Sequence, residues 1–240
     1  MNPVTYYFTL IFYQPLFNGL LWIYALLPYR DLGLAIVVFC FSLRLLLAPL
    51  FIKGQNAQKK MALLQPEMKK IQDQHKGNKE AQGRAMMELY AKHRTNPFSG
   101  CLPILIQLPI LFALFTVFRD LKPENLIYLY SFVPKPSELD LITFGFFNLG
   151  EKNLFLGVLA GISQFLQTKI SLPNVPQSSG GDFAKSLQWQ ALYIFPIFIF
   201  VWSLAMPAAM MFYWTVWNIF GILQEIITKR FTPLSPEGHK

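Results

Sequence analysis

Arg44 is the residue of this sequence that most clearly needs a chemical explanation, because it interrupts an otherwise apolar stretch from Leu32 to Ile52. Arginine stays protonated in proteins, so the cost of burying it cannot be relieved by loss of the charge. That cost is at least about 2.5 kcal/mol at the centre of a membrane helix. Snorkelling of the side chain to the surface is the structural alternative. We expect instead that Arg44 meets water, polar side chains or a transient guest molecule.

Several uncharged polar side chains in other apolar stretches could share a cavity with this arginine. Hydrogen bonding between helices explains each of them equally well when it is taken alone. Together with the arginine they predict a polar groove within the bilayer. The candidate groove residues from these stretches are Arg44, Gln107, Gln164, Gln167, Asn218 and Gln224.

The sequence contains no catalytic constellation. It lacks HExxH, GxSxG, a phosphate-binding loop and paired intramembrane carboxylates. Cys40 and Cys101 both lie in apolar stretches, which is typical of free buried thiols, and the three histidines show no ligand spacing. We therefore predict no enzyme activity, no cofactor and no metal.

Long uncharged stretches provide the elements that would position the groove. Hydrophobic residues make up 53% of the chain and charged residues 14%, against about 25% charged residues in an average soluble domain. A hydrocarbon core about 30 Å thick needs roughly 20 apolar residues in a helix. Gly157-x-x-x-Gly161 further predicts close helix packing. The composition predicts an all-α, polytopic membrane protein with five spans, at 31–52, 98–118, 153–170, 188–206 and 207–228.

The last two spans come from one uncharged run of 39 residues, Ser186 to Gln224, which is too long for a single crossing. We place the break at Met206-Pro207-Ala208, because proline disrupts a helix. Residues 1–30 allow two interpretations. Polar and proline interruptions with many aromatic residues favour a helix lying in the outer membrane interface. A sixth span is the alternative.

Charge in the loops predicts the orientation. Residues 53–97 contain ten Lys and Arg with four acidic residues, whereas 119–152 contain four basic and five acidic residues. The first segment is therefore expected in the cytoplasm and the second outside. The same alternation places 171–187 and the tail 229–240 in the cytoplasm. The net charge of +8 then reflects topology, so we expect no direct nucleic-acid readout.

The cytoplasmic segment 53–97 is itself predicted to be a helical hairpin. Met61, Leu64, Met68 and Ile71 repeat at helical spacing, and Gly77-Asn78 mark a turn before a second periodic stretch. Two short helices with one narrow apolar seam are marginally stable. We expect the hairpin to move unless a partner docks on it.

At this point the chain resembles the YidC family of membrane protein insertases over roughly residues 10–230. The first span and its preceding helix match in QPLFNGLLWIY and SLRLLLAPL, and the last span matches in FYWTVWNIFGILQ. The most specific stretches are those of the hairpin and the following span, LQPEMKKIQ and MMELYAKHRTNPFSGCLPILIQLPILFALF. The large soluble domain of some relatives and a lipoprotein-type cysteine are absent from this sequence.

The resemblance implies a groove that is open to the cytoplasm and to lipid and closed on the outside. Arg44 would sit in that groove, with Gln167 from the third span and Trp214 from the last. The implied partners are nascent membrane proteins, the ribosome, the lipid bilayer and in some cases the Sec translocon. The implied location is the bacterial plasma (inner) membrane, with the C-terminus in the cytoplasm. The tail from Lys229 has only three basic residues, so we expect no strong ribosome binding through it.

A mechanism follows in which the groove moves nascent membrane proteins into the bilayer without nucleotide hydrolysis. Two alternatives belong to other functional classes. One is a small anion transporter that binds its substrate at Arg44, although no internal repeat is visible. The other is an assembly factor that packs against membrane proteins without inserting them.

Overall fold

The structure is a computed structural model that describes residues 2–93, 95–96, 102–119, 121, 123–136, 138–172, 186 and 188–231, of which 102–106, 123–125 and 231 are described by backbone alone. Over these residues the chain is almost entirely helical, and the predicted all-α fold is confirmed. The helices are α1 (Pro3–Leu26), α2 (Leu32–Leu63), α3 (Gln65–Gln74), α4 (Lys79–Lys92), α5 (Leu102–Arg119), α6 (Leu154–Ser171), α7 (Gln190–Ser203) and α8 (Ala208–Phe231). A 3-10 turn (Pro123–Tyr128) and two short antiparallel strands, β1 (Ile142–Thr143) and β2 (Phe147–Asn148), lie between α5 and α6.

The apolar helices make this chain a polytopic membrane protein. Among the described residues, the three helices α1, α2 and α6 are long and apolar enough to cross a bilayer. Shorter apolar stretches form the last part of α5 and all of α7. Helix α2 runs on without interruption to Leu63, past the predicted end of its span at residue 52, and contains Pro49. Residues 97–101, 173–185 and 232–240, which include parts of the predicted second span, cytoplasmic loop and tail, lie outside the described residues.

Two of the helices contain a wide π-helical turn, and a proline follows two residues after each turn. Thr9–Tyr13 in α1 precedes Pro15, and Gln190–Ile194 in α7 precedes Pro196. In a regular α-helix the proline ring clashes with the carbonyl four residues earlier. The wider turn shifts that carbonyl, so each helix continues through its proline.

Helix α1 runs beside the segment between α5 and α6. Nδ2 of Asn18 donates to the Tyr128 carbonyl (2.9 Å), and six residues later the Tyr24 hydroxyl accepts from the Asp140 amide (2.9 Å). These contacts hold about 9 Å of helix against one loop. The interfacial position of α1 stays a prediction, with a sixth span as its alternative, because the helix is long and apolar enough to cross.

Helix α8 is central, because it packs against α2, α5 and α6. Its Met210, Met211 and Tyr213 are fully buried. Helix α6 in turn packs tightly on α7. A Cβ at Gly157 would lie 2.7 Å from Cβ of Ser203, and one at Gly161 would lie 3.2 Å from the Pro196 carbonyl. The close packing predicted from the two glycines is confirmed.

Residues 138–151, which we call the β-hairpin loop, close the end of the bundle where α2 begins. Asp31 caps α2 by accepting from the Leu34 amide (2.9 Å). The same carboxylate accepts from the Phe144 amide (2.9 Å) and from the Thr143 hydroxyl. Gly33 permits this approach, since a Cβ there would lie 2.8 Å from Cβ of Thr143. We refer to this side of the molecule as the Asp31 end.

The β-hairpin loop also caps α8. The amides of Ala208 and Ala209 donate to the carbonyls of Glu151 (2.7 Å) and Leu149 (2.9 Å). The first amides of a helix have no partner within the helix, so these bonds satisfy them at the Asp31 end. One loop therefore ties α2 and α8 together.

Replacing Gly157 by alanine is expected to lower the free energy of unfolding by about 1–3 kcal/mol, because the new Cβ would overlap the Ser203 side chain. Gly83→Ala is the matched control, since nothing lies within 4 Å of a Cβ there and α4 gains helix propensity. Denaturant unfolding of the purified protein in detergent measures both changes. Equal stability of the two variants would contradict the tight contact between α6 and α7.

Candidate functional site

Arg44 lies inside the bundle, against α8. Its side chain is only 7% exposed. Nε donates to Oε1 of Gln224 (2.9 Å), and Nη1 donates to the Trp217 carbonyl (3.1 Å). Arg44 is twelve residues into α2, about 18 Å along the helix axis. If α2 enters the bilayer near Leu32, this depth predicts a position near the middle of a hydrocarbon core about 30 Å thick.

The positive charge of Arg44 is held by groups that do not neutralise it. Carbon Cζ of the guanidinium lies 5.0 Å from the ring centroid of Phe51 and 4.8 Å from that of Trp217. Aromatic faces attract a cation through their quadrupole, by about 2 kcal/mol when the pair is desolvated. Among the described residues, no carboxylate forms an ion pair with Arg44. The groups in direct contact with the guanidinium are thus all uncharged.

Gly221 provides the space in which Arg44 and Gln167 meet. A Cβ at this position would lie 2.5 Å from Nε2 of Gln167 and 2.7 Å from Nη2 of Arg44. The backbone of α8 is therefore the surface on which a side chain of α2 and a side chain of α6 converge. Sequence reasoning did not identify Gly221 or Trp217, although a glycine inside an apolar helix is a signal of close approach.

A second polar group continues from Gln167 along the contact between α6 and α8. Asn218 is buried there. In the amide orientation that satisfies both of its polar atoms, Nδ2 of Asn218 donates to Oε1 of Gln167, and Oδ1 accepts from the Ser163 hydroxyl (3.1 Å). The indole Nε1 of Trp214 donates to Oε1 of Gln164 (2.9 Å). The structure thus brings these predicted residues together with Arg44 in one connected set.

Gln107 stands apart from this set. It lies on α5, and its Nε2 donates to the Tyr213 hydroxyl (3.3 Å). The Tyr213 ring lies 5.9 Å from that of Trp217, so contact with the arginine is indirect. Oε1 of Gln107 and Nε2 of Gln224 are buried and have no hydrogen-bond partner among the described residues. Buried polar atoms of this kind are costly unless water or a guest satisfies them.

Toward the C-terminal end of α8, three helices are tied together around Glu225, which is buried on α8. Gln55 of α2 donates to its carboxylate, and Nζ of Lys229 lies 3.5 Å from Oε1. Lys229 also donates to the Ile170 carbonyl at the end of α6. Glu225 is therefore engaged by Gln55 and Lys229 and forms no direct ion pair with Arg44, although its charge still attracts the guanidinium from a distance.

The helical hairpin formed by α3 and α4 packs through a thin seam. The Tyr90 hydroxyl lies 4.0 Å from Sδ of Met68, and Nε2 of His93 lies 3.4 Å from Oε2 of Glu67. Partial burial raises the pKa of Tyr90 above its ordinary value. The mobility of the hairpin stays a prediction.

Gly221→Ala is expected to displace the guanidinium from α8, because the added Cβ would overlap Nη2 of Arg44 and Nε2 of Gln167. Arg44 should then react with phenylglyoxal several-fold faster than in the protein without the substitution. Peptide mass spectrometry measures the rate of this reaction. Arg84, which is exposed on α4, is the internal reference and should react equally in both proteins. An unchanged rate at Arg44 would show that the two side chains do not depend on this glycine.

Comparison with known proteins shows which family the chain belongs to. The sequence pattern described as the 60Kd inner membrane protein matches residues 22–235. Membrane protein insertase YidC 2 of Bacillus anthracis is 36% identical over 203 residues, which cover 82% of this chain and 71% of the relative. Membrane protein insertase YidC of Fusobacterium nucleatum is 32% identical over 81% of this chain and 84% of the relative. Membrane protein insertase MisCA of Bacillus subtilis is 32% identical over 82% and 70%.

The family match spans nearly the whole chain and includes every residue of the site around Arg44. It agrees with the apolar helices in placing the protein in a bacterial membrane. The chain belongs to the 60Kd inner membrane protein family, together with these relatives that are named as insertases.

Proposed function

We propose that this protein inserts nascent membrane proteins into the bilayer and that Arg44 attracts their polar segments. One observation carries the proposal: a buried guanidinium held by a neutral amide, a backbone carbonyl and two aromatic rings. No described carboxylate forms a direct ion pair with it. The names of its relatives support the same activity. The protein has a cation inside the membrane to which an incoming anionic group can bind.

An acidic side chain of the substrate gains more at Arg44 than it would in water. Two unit charges 4 Å apart interact by about 1 kcal/mol in water and by about 4 kcal/mol at an effective dielectric constant near 20. The difference is close to the cost of about 2.5–3.5 kcal/mol for placing an aspartate at the centre of a membrane helix. The carboxylate replaces the neutral acceptors Gln224 and Trp217 with a charge-assisted bond.

The polar groups form a stripe that shortens the apolar part of the path. Trp214, Asn218, Gly221 and Gln224 recur at intervals of four, three and three residues, so they lie on one face of α8. Ten residues from Trp214 to Gln224 cover about 15 Å of helix. That is half of a hydrocarbon core about 30 Å thick. A polar segment therefore crosses only the remaining half without partners.

Release follows from the substrate's own apolar helix. Each Leu, Ile, Phe or Val contributes roughly 0.3–0.6 kcal/mol to insertion at the helix centre. A helix of about 20 such residues gains roughly 6–12 kcal/mol, which exceeds the attraction of one acidic group to Arg44. The substrate's transfer into lipid thus drives the reaction, and the proposal includes no nucleotide hydrolysis.

The remaining parts of the chain are assigned by charge and by the family. The basic segment 53–97 and the C-terminus lie in the cytoplasm, where the helical hairpin admits the substrate. The ribosome delivers substrates there, and the Sec translocon is a partner for some of them. Gln107, on the side of the bundle away from α6, extends the polar lining toward α5.

Arg44→Ala is expected to slow insertion of a single-spanning substrate with an acidic external segment by about tenfold or more, since each 1.4 kcal/mol of lost stabilisation is tenfold in rate. Arg44→Lys should retain part of the activity, because the charge stays but the forked hydrogen bonding is lost. The purified protein alone is reconstituted in liposomes, and protease protection of added substrate is measured.

Two controls make this experiment specific. A substrate with Asn and Gln in place of its external Asp and Glu should be little affected by Arg44→Ala. Lys135→Ala, which removes an exposed positive charge far from the groove, should leave insertion unchanged. Equal insertion by the unmodified protein and by both Arg44 variants, for the acidic substrate, would rule out the role of the charge.

The other two functional classes give different results in the same vesicles. An anion transporter would show flux of a small anion that depends on Arg44, without protected substrate. An assembly factor would show neither, and aqueous thiol reagents would not reach a cysteine placed at Gln164. An insertase gives protected substrate together with labelling at this position.

A further inference from the structure

The tip of the β-hairpin loop contains one residue, Phe144, that its backbone conformation disfavours. The Phe146 amide donates to the Thr143 carbonyl (3.2 Å), which closes a tight turn with Phe144 and Gly145 at its centre. Both central residues have positive φ, 53° at Phe144 and 79° at Gly145. Such a turn prefers Asn, Asp or Gly, and a bulky aromatic residue there is a strained outlier. Asn or Asp at position 144 would relieve this backbone strain, so the aromatic side chain is kept at an energetic cost.

The same tip exposes three large apolar side chains. Phe146 is 70% exposed, Ile142 is 52% exposed and Phe144 is 50% exposed. The tip cannot turn them inward, because Thr143 between them is fully buried and bonded to Asp31. A rigid, outward-facing apolar cluster of this kind marks a binding surface.

Ring contacts join this cluster to two helices of the bundle, α6 and α8. The Phe147 ring stacks on that of Phe155 (6.0 Å between centroids), and the Phe144 ring lies 6.1 Å from that of Phe212 on α8. Phe155 begins an exposed stripe at helical spacing on the membrane-spanning helix α6; its members are Phe155, Val158, Ile162 and Leu166. The apolar tip therefore continues the lipid-facing surface beyond the first turn of α6.

We propose that Ile142, Phe144 and Phe146 insert into the membrane interface at the Asp31 end and anchor the β-hairpin loop in lipid. The occupant of this surface is the bilayer, because the cluster adjoins, through Phe147 and Phe155, the exposed apolar stripe of α6, a helix long and apolar enough to cross a membrane. Since the loop also caps α2 and α8, the anchor fixes the depth of the helix that carries Arg44. This inference goes beyond the insertase activity and does not depend on it.

The test places the environment-sensitive dye NBD at Phe146→Cys, in a Cys101→Ser background that leaves only the buried Cys40 as a second thiol. The matched control is Lys135→Cys, an exposed polar position in the same segment. Both proteins are placed one copy per nanodisc, with lipids that carry a nitroxide either near the headgroup or deep in the acyl chains. We expect blue-shifted NBD emission at position 146, with several-fold stronger quenching by the shallow nitroxide than at position 135.

Emission at position 146 that matches the control and is quenched mainly by aqueous iodide would overturn the proposal. A blue shift that appears only in liposomes crowded with protein, and not in single-copy nanodiscs, would assign the surface to another copy of the chain and would also overturn it. Far-UV circular dichroism of the labelled proteins verifies that both are folded. The readout needs no insertion activity, so its failure is separate from failure of the insertase proposal.

Discussion

The cost of burying one positive charge that no described carboxylate pairs with directly governs the design of this protein. Arg44 cannot lose its proton, and its side chain is buried inside the bundle. The bundle therefore surrounds it with a carbonyl, an amide and two aromatic rings that reduce the cost without removing the charge. Gly221 leaves room for the guanidinium beside the backbone of α8. The carboxylate of Glu225 is hydrogen-bonded to Gln55 and is therefore not a direct partner of Arg44.

Features that depend on a local pattern could be predicted from the sequence. Pro207 lies in the gap where α7 has ended at Ser203 and α8 has not yet begun at Ala208. Gly157 and Gly161 predicted close packing, and Arg44 in an apolar stretch predicted a buried charge. Each of these follows from the properties of one residue type within one helix. The long helices and the class of fold follow from the same kind of signal.

Features that depend on how distant segments meet could not be predicted in this way. Gln224 and Trp217 became partners of Arg44 only because α8 crosses α2 at that depth. The strained Phe144 turn has no signal in the sequence, since Phe-Gly-Phe is an unusual sequence for such a turn. Gln107 was grouped with the other polar residues, but it contacts Tyr213 on another side of α8. Spacing along the chain does not report which face of a helix meets which neighbour.

The apolar layer above the arginine has an electrical consequence. About 18 Å of α2 lies between the β-hairpin loop and Arg44. Along this length the side chains that face the interior are apolar and at most 6% exposed; they are Leu32, Ala35, Ile36, Phe39 and Cys40. An ion that crossed this layer would have to give up its hydration, and a cation would also be repelled by the guanidinium. On the proposed function, this layer lets the protein keep polar groups within the bilayer while the bilayer remains an insulator, so that the cell's transmembrane voltage does not discharge through the protein.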